Sequence, residues 1–247
     1  MMFSDFLIKP NLPTNKVCLC AISNSAVEAV SELEALGVNC LPVEKNNKSD
    51  YEISSHADIE LLHLGKNNFL ISGFQQNLKK KLIDEGSNII KTVHVCSPYP
   101  NDVILNKLII ENKIIGNFSS CCFDNNSLNY DLIPVKQGYT KCSSLVVDEA
   151  SIITDDEGIA RLLKNCQFDV LLINKGDIKL SEKHYGFFGG CCCKIDKNLI
   201  YFNGNIEKHK SFELIKSFLD KRNIEMVYNT QRALTDFGGT VSIKQLI

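Results

Sequence analysis

A surplus of charge of either sign is missing from this sequence. Twenty-seven Lys and Arg stand against 29 Asp and Glu, which leaves a formal net charge of −2. Such a balance supplies no field that would attract a phosphate backbone or an anionic membrane surface. We therefore expect neither nucleic acid nor a membrane as a partner.

Long hydrophobic runs and sorting signals are also missing. The longest apolar runs, such as DVLLIN around Leu171, are of strand length. The opening MMFSDFLIKPNLP has neither a basic start nor a long apolar segment followed by small residues. No Walker or dinucleotide-binding glycine pattern occurs, and no cofactor is predicted. With 44% hydrophobic and 23% charged residues, the chain is predicted to be one globular domain spanning residues 1–247.

The cysteines do not follow a disulfide or zinc pattern. Their number, 11, is odd, and without an export signal we expect free thiols in a reducing cytoplasm. A structural zinc site needs ligand pairs separated by two to four residues. Cys18 and Cys20 are one residue apart, Cys121 and Cys122 are adjacent, and no second pair has finger spacing. No metal site is predicted.

A repeated unit organises most of the chain. Each copy reads as strand, tight polar turn, strand, then a helical stretch and a third strand. Copies begin at residues 58, 102, 140, 189 and 238. Their turns lie at Lys66-Asn67, Glu111-Asn112, Asp148-Glu149 and Lys197-Asn198.

The last copy is complete only when the two ends of the chain are joined. GGTVSIKQLI supplies one strand at the C-terminal end, and KVCLCAIS, the helix AVEAVSELEALG and the strand VNCLPVE supply the remainder from the N-terminal end. A unit shared between the ends closes a ring, as in propellers. The predicted fold is therefore an α/β propeller of five ββαβ units, closed by pairing of the N- and C-terminal strands.

This arrangement resembles the pentein superfamily, which includes arginine deiminase, agmatine deiminase and dimethylarginine hydrolase. The resemblance rests on the repeat, on the openings Gly189-Gly190 and Gly238-Gly239, and on His56-Ala-Asp58. The segments VKQGYTKCS, YGFFGG and LTDFGG look most like an uncharacterised bacterial group. The resemblance implies a small-molecule site at the ring centre, where a Cys thiolate attacks a guanidinium carbon, a His moves protons and carboxylates hold the cation.

The usual position of the nucleophile departs from the family pattern. In the family a Cys commonly follows a Gly-Gly pair in the last unit, whereas this chain reads Gly238-Gly239-Thr240-Val241-Ser242-Ile243. A lone serine is a poor attacker of a resonance-stabilised guanidinium carbon. Ser242 is therefore a candidate for substrate binding only.

The stretch GFFGGCCCKID supplies thiols after the other Gly-Gly pair. Cys193 has the same offset from its pair as Ser242 has, and Cys193 or its neighbour Cys192 is the candidate for a displaced nucleophile. Strand alternation predicts Cys191 and Cys193 on one face and Cys192 on the other. The alternative interpretation is a tightly packed strand in which cysteine acts as a small hydrophobe.

The remaining candidates lie near the starts of the units. His56 is the candidate proton carrier and Asp58, two residues on, the candidate ligand for a cation, although a His ahead of a strand is also a frequent cap. Asp102, Lys141 in the loop KQGYTKC and Asp236 ahead of Gly238 are further substrate-binding candidates. Asp155-Asp156-Glu157 is better interpreted as a helix cap than as a cation site.

Three functions remain open on the sequence alone. The favoured one is a ring that has lost the usual nucleophile and binds a small molecule or a protein at its centre. The second is a guanidine-modifying hydrolase or amidinotransferase with a displaced Cys, acting on a cationic guanidino compound. The third, a thiol redox or metal-binding protein, ranks below both.

Overall fold

The computed structural model describes residues 3–120, 130–182 and 184–247. Cys121 and Cys122, considered above for a metal site, lie outside these ranges. The described α-helices are α1 (Val27–Ala35), α2 (Ala57–Glu60), α3 (Gln76–Asp84), α4 (Glu157–Asn165) and α5 (Phe212–Asp220). None of these helices is long and apolar enough to cross a membrane.

The strands of the described residues are short. They are β1 (Ser4–Phe6), β2 (Val17–Ser23), β3 (Asn39–Val43), β4 (Leu61–His63), β5 (Asn68–Ser72), β6 (Asn88–Val93), β7 (Leu108–Ile110), β8 (Lys113–Gly116), β9 (Asp131–Pro134), β10 (Ser144–Val146), β11 (Ser151–Thr154), β12 (Asp169–Leu172), β13 (Cys192–Asp196), β14 (Leu199–Phe202), β15 (Glu225–Tyr228) and β16 (Thr240–Leu246).

These strands form five small sheets with one common pattern. Three strands lie in the orders β4-β5-β6, β7-β8-β9, β10-β11-β12 and β13-β14-β15, and the remaining sheet has the order β1-β16-β2-β3. The first two strands of a unit pair antiparallel across a tight turn, and the third pairs parallel to the second. A parallel pair needs a crossover, which a helix supplies in the units containing α1, α3, α4 and α5.

The two ends of the chain share a sheet. Strand β16 pairs antiparallel with β2, with Val241 opposite Ala21 and Ser242 opposite Cys20, and β2 pairs parallel with β3. The outer strand β1 then pairs with the far end of β16. The predicted pairing of terminal strands is thus present.

Apolar clusters link each sheet to the next. The first two strands of each three-stranded sheet are buried on both faces, so their sequences are mostly apolar, whereas the third strands β6, β9, β12 and β15 are partly exposed. The clusters join sheets through pairs such as Ala21 with Phe69, Leu70 with Ile114, Ile115 with Ile152, Ile153 with Ile200, and Cys193 with Cys20. The last pair returns to the sheet of the first.

The helices follow the expected amphipathic pattern. In α4, Asp156 is the N-cap and its Oδ1 accepts a hydrogen bond of 2.9 Å from the Ile159 amide. Ile159, Ala160 and Leu163 form its buried stripe. The capping interpretation of this acidic segment is therefore confirmed.

The predicted strand starts are too early. Residues Ala57–Glu60 form the short helix α2, and Gly189–Cys191 form a 3₁₀ turn, so the strands begin only at Leu61 and Cys192. The turn also changes which cysteines share a face. Cys191 and Cys192 both lie in the cluster around Phe188, whereas Cys193 lies in the cluster around Cys20. The prediction that Cys191 and Cys193 lie on the same face is wrong, because strand alternation does not extend into the turn.

The segments that precede the first strands meet in a circle of hydrogen bonds. Each segment contributes one residue, and we call these five residues the hub: Asp58, Asn106, Cys142, Gly190 and Gly239. The links run from Asp58 N to Gly238 O (3.1 Å), Asn106 Nδ2 to Asp58 O (3.2 Å), Cys142 N to Asn106 Oδ1 (3.3 Å), Gly190 N to Cys142 O (2.9 Å) and Gly239 N to Gly190 O (2.8 Å). In four links a hub residue donates to the hub residue before it in the chain. The circle is closed by Asp58, which donates to Gly238, the neighbour of Gly239.

Candidate functional site

A cavity of about 420 Å³ opens beside the hub, and we call it the hub cavity. Other cavities of similar size occur elsewhere, but this one brings a thiol, imidazoles and carboxylates to one space. Its lining residues are Asp50, Glu52, Ile53, His56, Ser97, Pro98, Tyr99, Asp102, Tyr139, Cys142, Leu180, His184, Phe187 and Asp236. Convergent polar groups in a concave site are the usual mark of small-molecule binding.

The innermost group is Cys142 with Asp58 and His56. The Cys142 thiol donates to Asp58 Oδ2 at 2.8 Å, and Asn106 Nδ2 donates to the same sulfur at 3.1 Å. One donor atom each from His56, Asp58 and Cys142 lie within 4.8 Å of one another. His56 Nδ1 and Asp58 Oδ1 are buried and have no hydrogen-bond partner. Buried polar atoms are normally paired, so two unpaired atoms beside Cys142, one of them on His56 in the lining of the hub cavity, indicate a ligand position.

Burial sets the resting protonation of this group. Burial, followed by the charge of Asp236, raises the pKa of Asp58 to about 7. Burial lowers the pKa of His56, while Asp236 opposes that shift. Burial and then the Asp58 charge raise the pKa of Cys142 well above its ordinary value. The raised pKa of Cys142 favours its neutral thiol, and positive charge beside the sulfur would favour the thiolate.

Asp236 is fixed beside this group by two backbone amides. Its Oδ2 accepts from Phe187 N at 2.8 Å, and its Oδ1 accepts from Gly238 N at 2.7 Å. A Cβ on Gly190 would lie 2.0 Å from Asp236 Oδ1. The glycine is thus required by the close approach of this carboxylate.

The outer part of the cavity combines carboxylates with aromatic rings. Tyr139 Oη donates to Asp102 Oδ2 at 2.9 Å, while Asp102 Oδ1 is buried without a partner. Phe187 stacks on Tyr139 with ring centroids 5.6 Å apart. At the rim, His184 Nδ1 contacts Glu52 Oε2 at 2.7 Å.

Four of the residues predicted from the sequence, His56, Asp58, Asp102 and Asp236, lie at or beside the hub cavity. Two others lie elsewhere. Lys141 and Ser242 line a small cavity of about 20 Å³ that also touches Asp58. The Ser242 hydroxyl donates to Lys194 O at 3.2 Å.

The candidate nucleophiles of the triple-cysteine stretch do not line the hub cavity. Cys192 donates to Phe188 O at 3.2 Å, and Cys193 packs in the cluster that contains Cys20 and Tyr201. Burial raises the pKa of Cys193 to about 12. A catalytic role for Cys192 or Cys193 stays a prediction.

Sequence reasoning missed Cys142 and Asn106. Cys142 precedes β10 as Gly190 precedes β13, and both contribute to the hub. In the sequence, Cys142 could have been identified from the number of residues that separate it from the turn at Asp148-Glu149. The predicted unit start at Thr140 hid it, because the strand begins four residues later, at Ser144.

The same inner group could hold a metal ion. A thiolate, an imidazole and a carboxylate are the ligand types of zinc sites. The atoms of His56, Asp58 and Cys142 are close enough to share one ion. This cluster lies in the fold, not in a sequence motif, which is why ligand spacing predicted no site.

Known structures resemble this fold over nearly its whole length. Inosamine-phosphate amidinotransferase StrB1 from Streptomyces griseus matches with a TM-score of 0.62 at 10% identity, covering 96% of this chain and 97% of that one. Agmatine deiminase from C. jejuni matches with a TM-score of 0.54 at 12% identity, covering 91% and 90%. DDAH from Pseudomonas aeruginosa, in complex with citrulline, matches with a TM-score of 0.50 at 7% identity, covering 95% and 100%. Together they establish the class: the chain has the pentein fold, as its motifs indicated.

The sequence itself matches one family. Residues 21–241 match the family of unknown function DUF6873, and the chain belongs to that family. Comparison with curated proteins found no significant match.

Proposed function

We propose that residues 1–247 form a single domain in which five units close into a propeller around the hub. Two features support this arrangement. The apolar clusters connect sheet to sheet and return to the first. The hub hydrogen bonds do the same at the centre.

We propose further that the protein modifies a small cationic guanidino or amidino compound at the hub cavity, with Cys142 as the nucleophile. The observation that carries this proposal is the Cys142 thiol bonded to Asp58 beside the unpartnered ring nitrogen of His56. A planar guanidinium donates a fork of hydrogen bonds that carboxylates receive. Asp58 Oδ1 and the nearby Asp236 are the carboxylates placed to receive it. The bound cation would also favour the thiolate of Cys142.

The reaction balances with the groups present. Cys142 Sγ forms a bond to the guanidinium carbon as its proton passes to Asp58, and the proton then goes to the departing nitrogen as the C–N bond breaks. The product is an amine and an amidino group on sulfur. Water attacks that group and gives one proton to His56; the C–S bond breaks, the second water proton passes to Sγ to restore the thiol, and a urea-type product leaves while His56 releases its proton to solvent. An amine in place of water would give amidino transfer.

In this proposal the nucleophile is not lost, as the sequence alone suggested, but comes from a different unit of the fold. The family position in the last unit is occupied by Ser242, which does not line the hub cavity and whose hydroxyl donates to Lys194 O on β13. The thiol instead comes from the unit that begins with β10. A ring that only binds its ligand, the function favoured on sequence alone, is the outcome if Cys142 is unreactive.

Metal binding is the second candidate function, because the donor atoms of His56, Asp58 and Cys142 cluster within 4.8 Å. Metal analysis of protein purified without chelators tests it. One equivalent of zinc that is lost in Cys142→Ser would establish a metal site. Metal-free protein that takes up no added zinc would remove this candidate.

Paired reagents test the nucleophile. Chloroacetamidine carries a cationic amidine, and chloroacetamide is its neutral counterpart of the same size. We expect chloroacetamidine to modify Cys142 at least about tenfold faster than chloroacetamide, because carboxylates attract the amidine. Cys96 and Cys166, which are partly exposed and lie outside the hub cavity, provide the internal control with a rate ratio near that of free cysteine.

Mapping the modified peptides by mass spectrometry gives each rate. Asp58→Asn should reduce the ratio at Cys142 and leave it unchanged at Cys166. Faster modification of any of Cys191 to Cys193, or rates that follow exposure alone, would contradict the proposal.

A further inference from the structure

The hub cavity is strongly unbalanced in charge. Asp50, Glu52, Asp102 and Asp236 all contribute carboxyl groups to its lining. Among the described residues that line it, none is Lys or Arg, and its two imidazoles belong to His56 and to His184, whose ring is hydrogen-bonded to Glu52. The described lining thus offers no Lys or Arg to neutralise a substrate carboxylate, and burying one unpaired there would be costly.

The carboxylates are divided between two positions. Asp236 lies with the reacting group of His56 and Cys142, whose electrostatic environment it influences. Asp102 belongs to the outer part, where Tyr139 occupies one of its oxygens. Asp102 is only 4% exposed, and its other oxygen, Oδ1, is buried and has no hydrogen-bond partner. An unpaired buried carboxylate oxygen calls for a donor from a ligand.

The wall between these positions is apolar. Phe187, whose amide donates to Asp236, stacks on Tyr139, whose hydroxyl donates to Asp102, and Leu180 also lines the cavity. Such a wall suits a short methylene chain. A compact cavity of this volume is roughly 9 Å across, which accommodates a chain of a few carbons between two charged groups.

We infer that the preferred substrate is a dication without a carboxylate, with its guanidinium beside Cys142 and a terminal ammonium on Asp102. This inference rests on the proposed function and specifies its substrate class. Asp102 is then a specificity residue that holds the end remote from the reaction.

Three compounds that each carry a guanidinium group test the ammonium and the carboxylate separately. Agmatine carries the terminal ammonium, butylguanidine lacks it, and arginine adds a carboxylate. Calorimetry with Cys142→Ser, which binds without turnover, should give at least about tenfold tighter binding of agmatine than of either other compound, since a tenfold ratio needs only one good charged contact.

Asp102→Asn in the same background should bring agmatine to the affinity of butylguanidine and leave butylguanidine unchanged. Asp84→Asn, which alters an exposed carboxylate on α3, is the matched control and should change neither. Binding of arginine as tight as agmatine, or loss of butylguanidine binding in Asp102→Asn, would overturn the inference and leave the guanidino function standing. Binding of none of the three compounds, together with an unreactive Cys142, would overturn the proposed function itself.

Discussion

Asn106 is the one hub residue that closes the hydrogen-bond circle with its side chain. Its Oδ1 accepts from Lys141 N at 2.8 Å and Cys142 N at 3.3 Å, while its Nδ2 donates to Asp58 O and Cys142 Sγ. The residue is 0% exposed. Asn106→Leu preserves the branching of the side chain but removes every one of these bonds.

The cost can be estimated from the groups left unpaired. Two amides and one carbonyl of the backbone lose a partner in a place where an apolar side chain keeps water out. At about 1–2 kcal/mol for each buried group, the free energy of unfolding should fall by roughly 3–6 kcal/mol. That is a large part of the stability of a typical domain.

Urea denaturation followed by circular dichroism measures this loss. Asn112→Leu is the matched control, because Asn112 lies in the exposed turn between β7 and β8, where its side-chain amide donates to Asp131 and accepts from Lys113 at the surface. The control should stay within about 0.5 kcal/mol of the wild type. A loss below about 1 kcal/mol in Asn106→Leu would refute the claim that the hub hydrogen bonds hold the units together.

Two further predictions concern buried groups near the hub. Burial raises the pKa of Asp155 to about 7, so between about pH 4 and pH 7 the folded state holds a proton that the unfolded state releases, and stability falls as pH rises through this range. Asp155→Asn removes this pH dependence. The free energy of unfolding of the variant, measured in urea relative to wild type, should therefore rise by about 3 kcal/mol from pH 5 to pH 8. A difference that stays constant with pH would contradict the raised pKa of Asp155. Gly190→Ala places a Cβ 2.0 Å from Asp236 Oδ1 and should cost about 3 kcal/mol, whereas Gly73→Ala meets only contacts of 3.4 and 3.5 Å and should cost less than about 1 kcal/mol. Equal melting temperatures for the two glycine variants would show that Asp236 can move.

The order of strands and helix within a unit and the pairing of the terminal strands were predictable because they depend on local signals. The polar turn at Lys197-Asn198 separates two apolar strands, and the helix α5 follows with its apolar stripe at Ile215 and Leu219. Those signals are periodic and repeat along the chain. The unpaired last strand then had to meet the first strands, as the β16–β2 pairing shows.

The inner site was less predictable because its groups meet only in three dimensions. His56 and Asp58 could be identified by their short spacing, but Cys142 is 84 residues from Asp58 in the chain. Its approach depends on the turns that precede the strands, and those turns have no apolar periodicity. The prominent cysteines at 191–193 attracted attention through sequence alone, whereas packing places Cys193 against Cys20.

Intact-mass analysis of three proteins after brief exposure to chloroacetamidine tests most directly whether Cys142 is the reactive thiol. Wild type and Cys193→Ser should each gain one label rapidly, and Cys142→Ser should gain none in that time. Circular dichroism spectra that match across the three proteins would show that the substitutions leave the fold intact. Rapid labelling that persists in Cys142→Ser, or disappears in Cys193→Ser, would contradict the account.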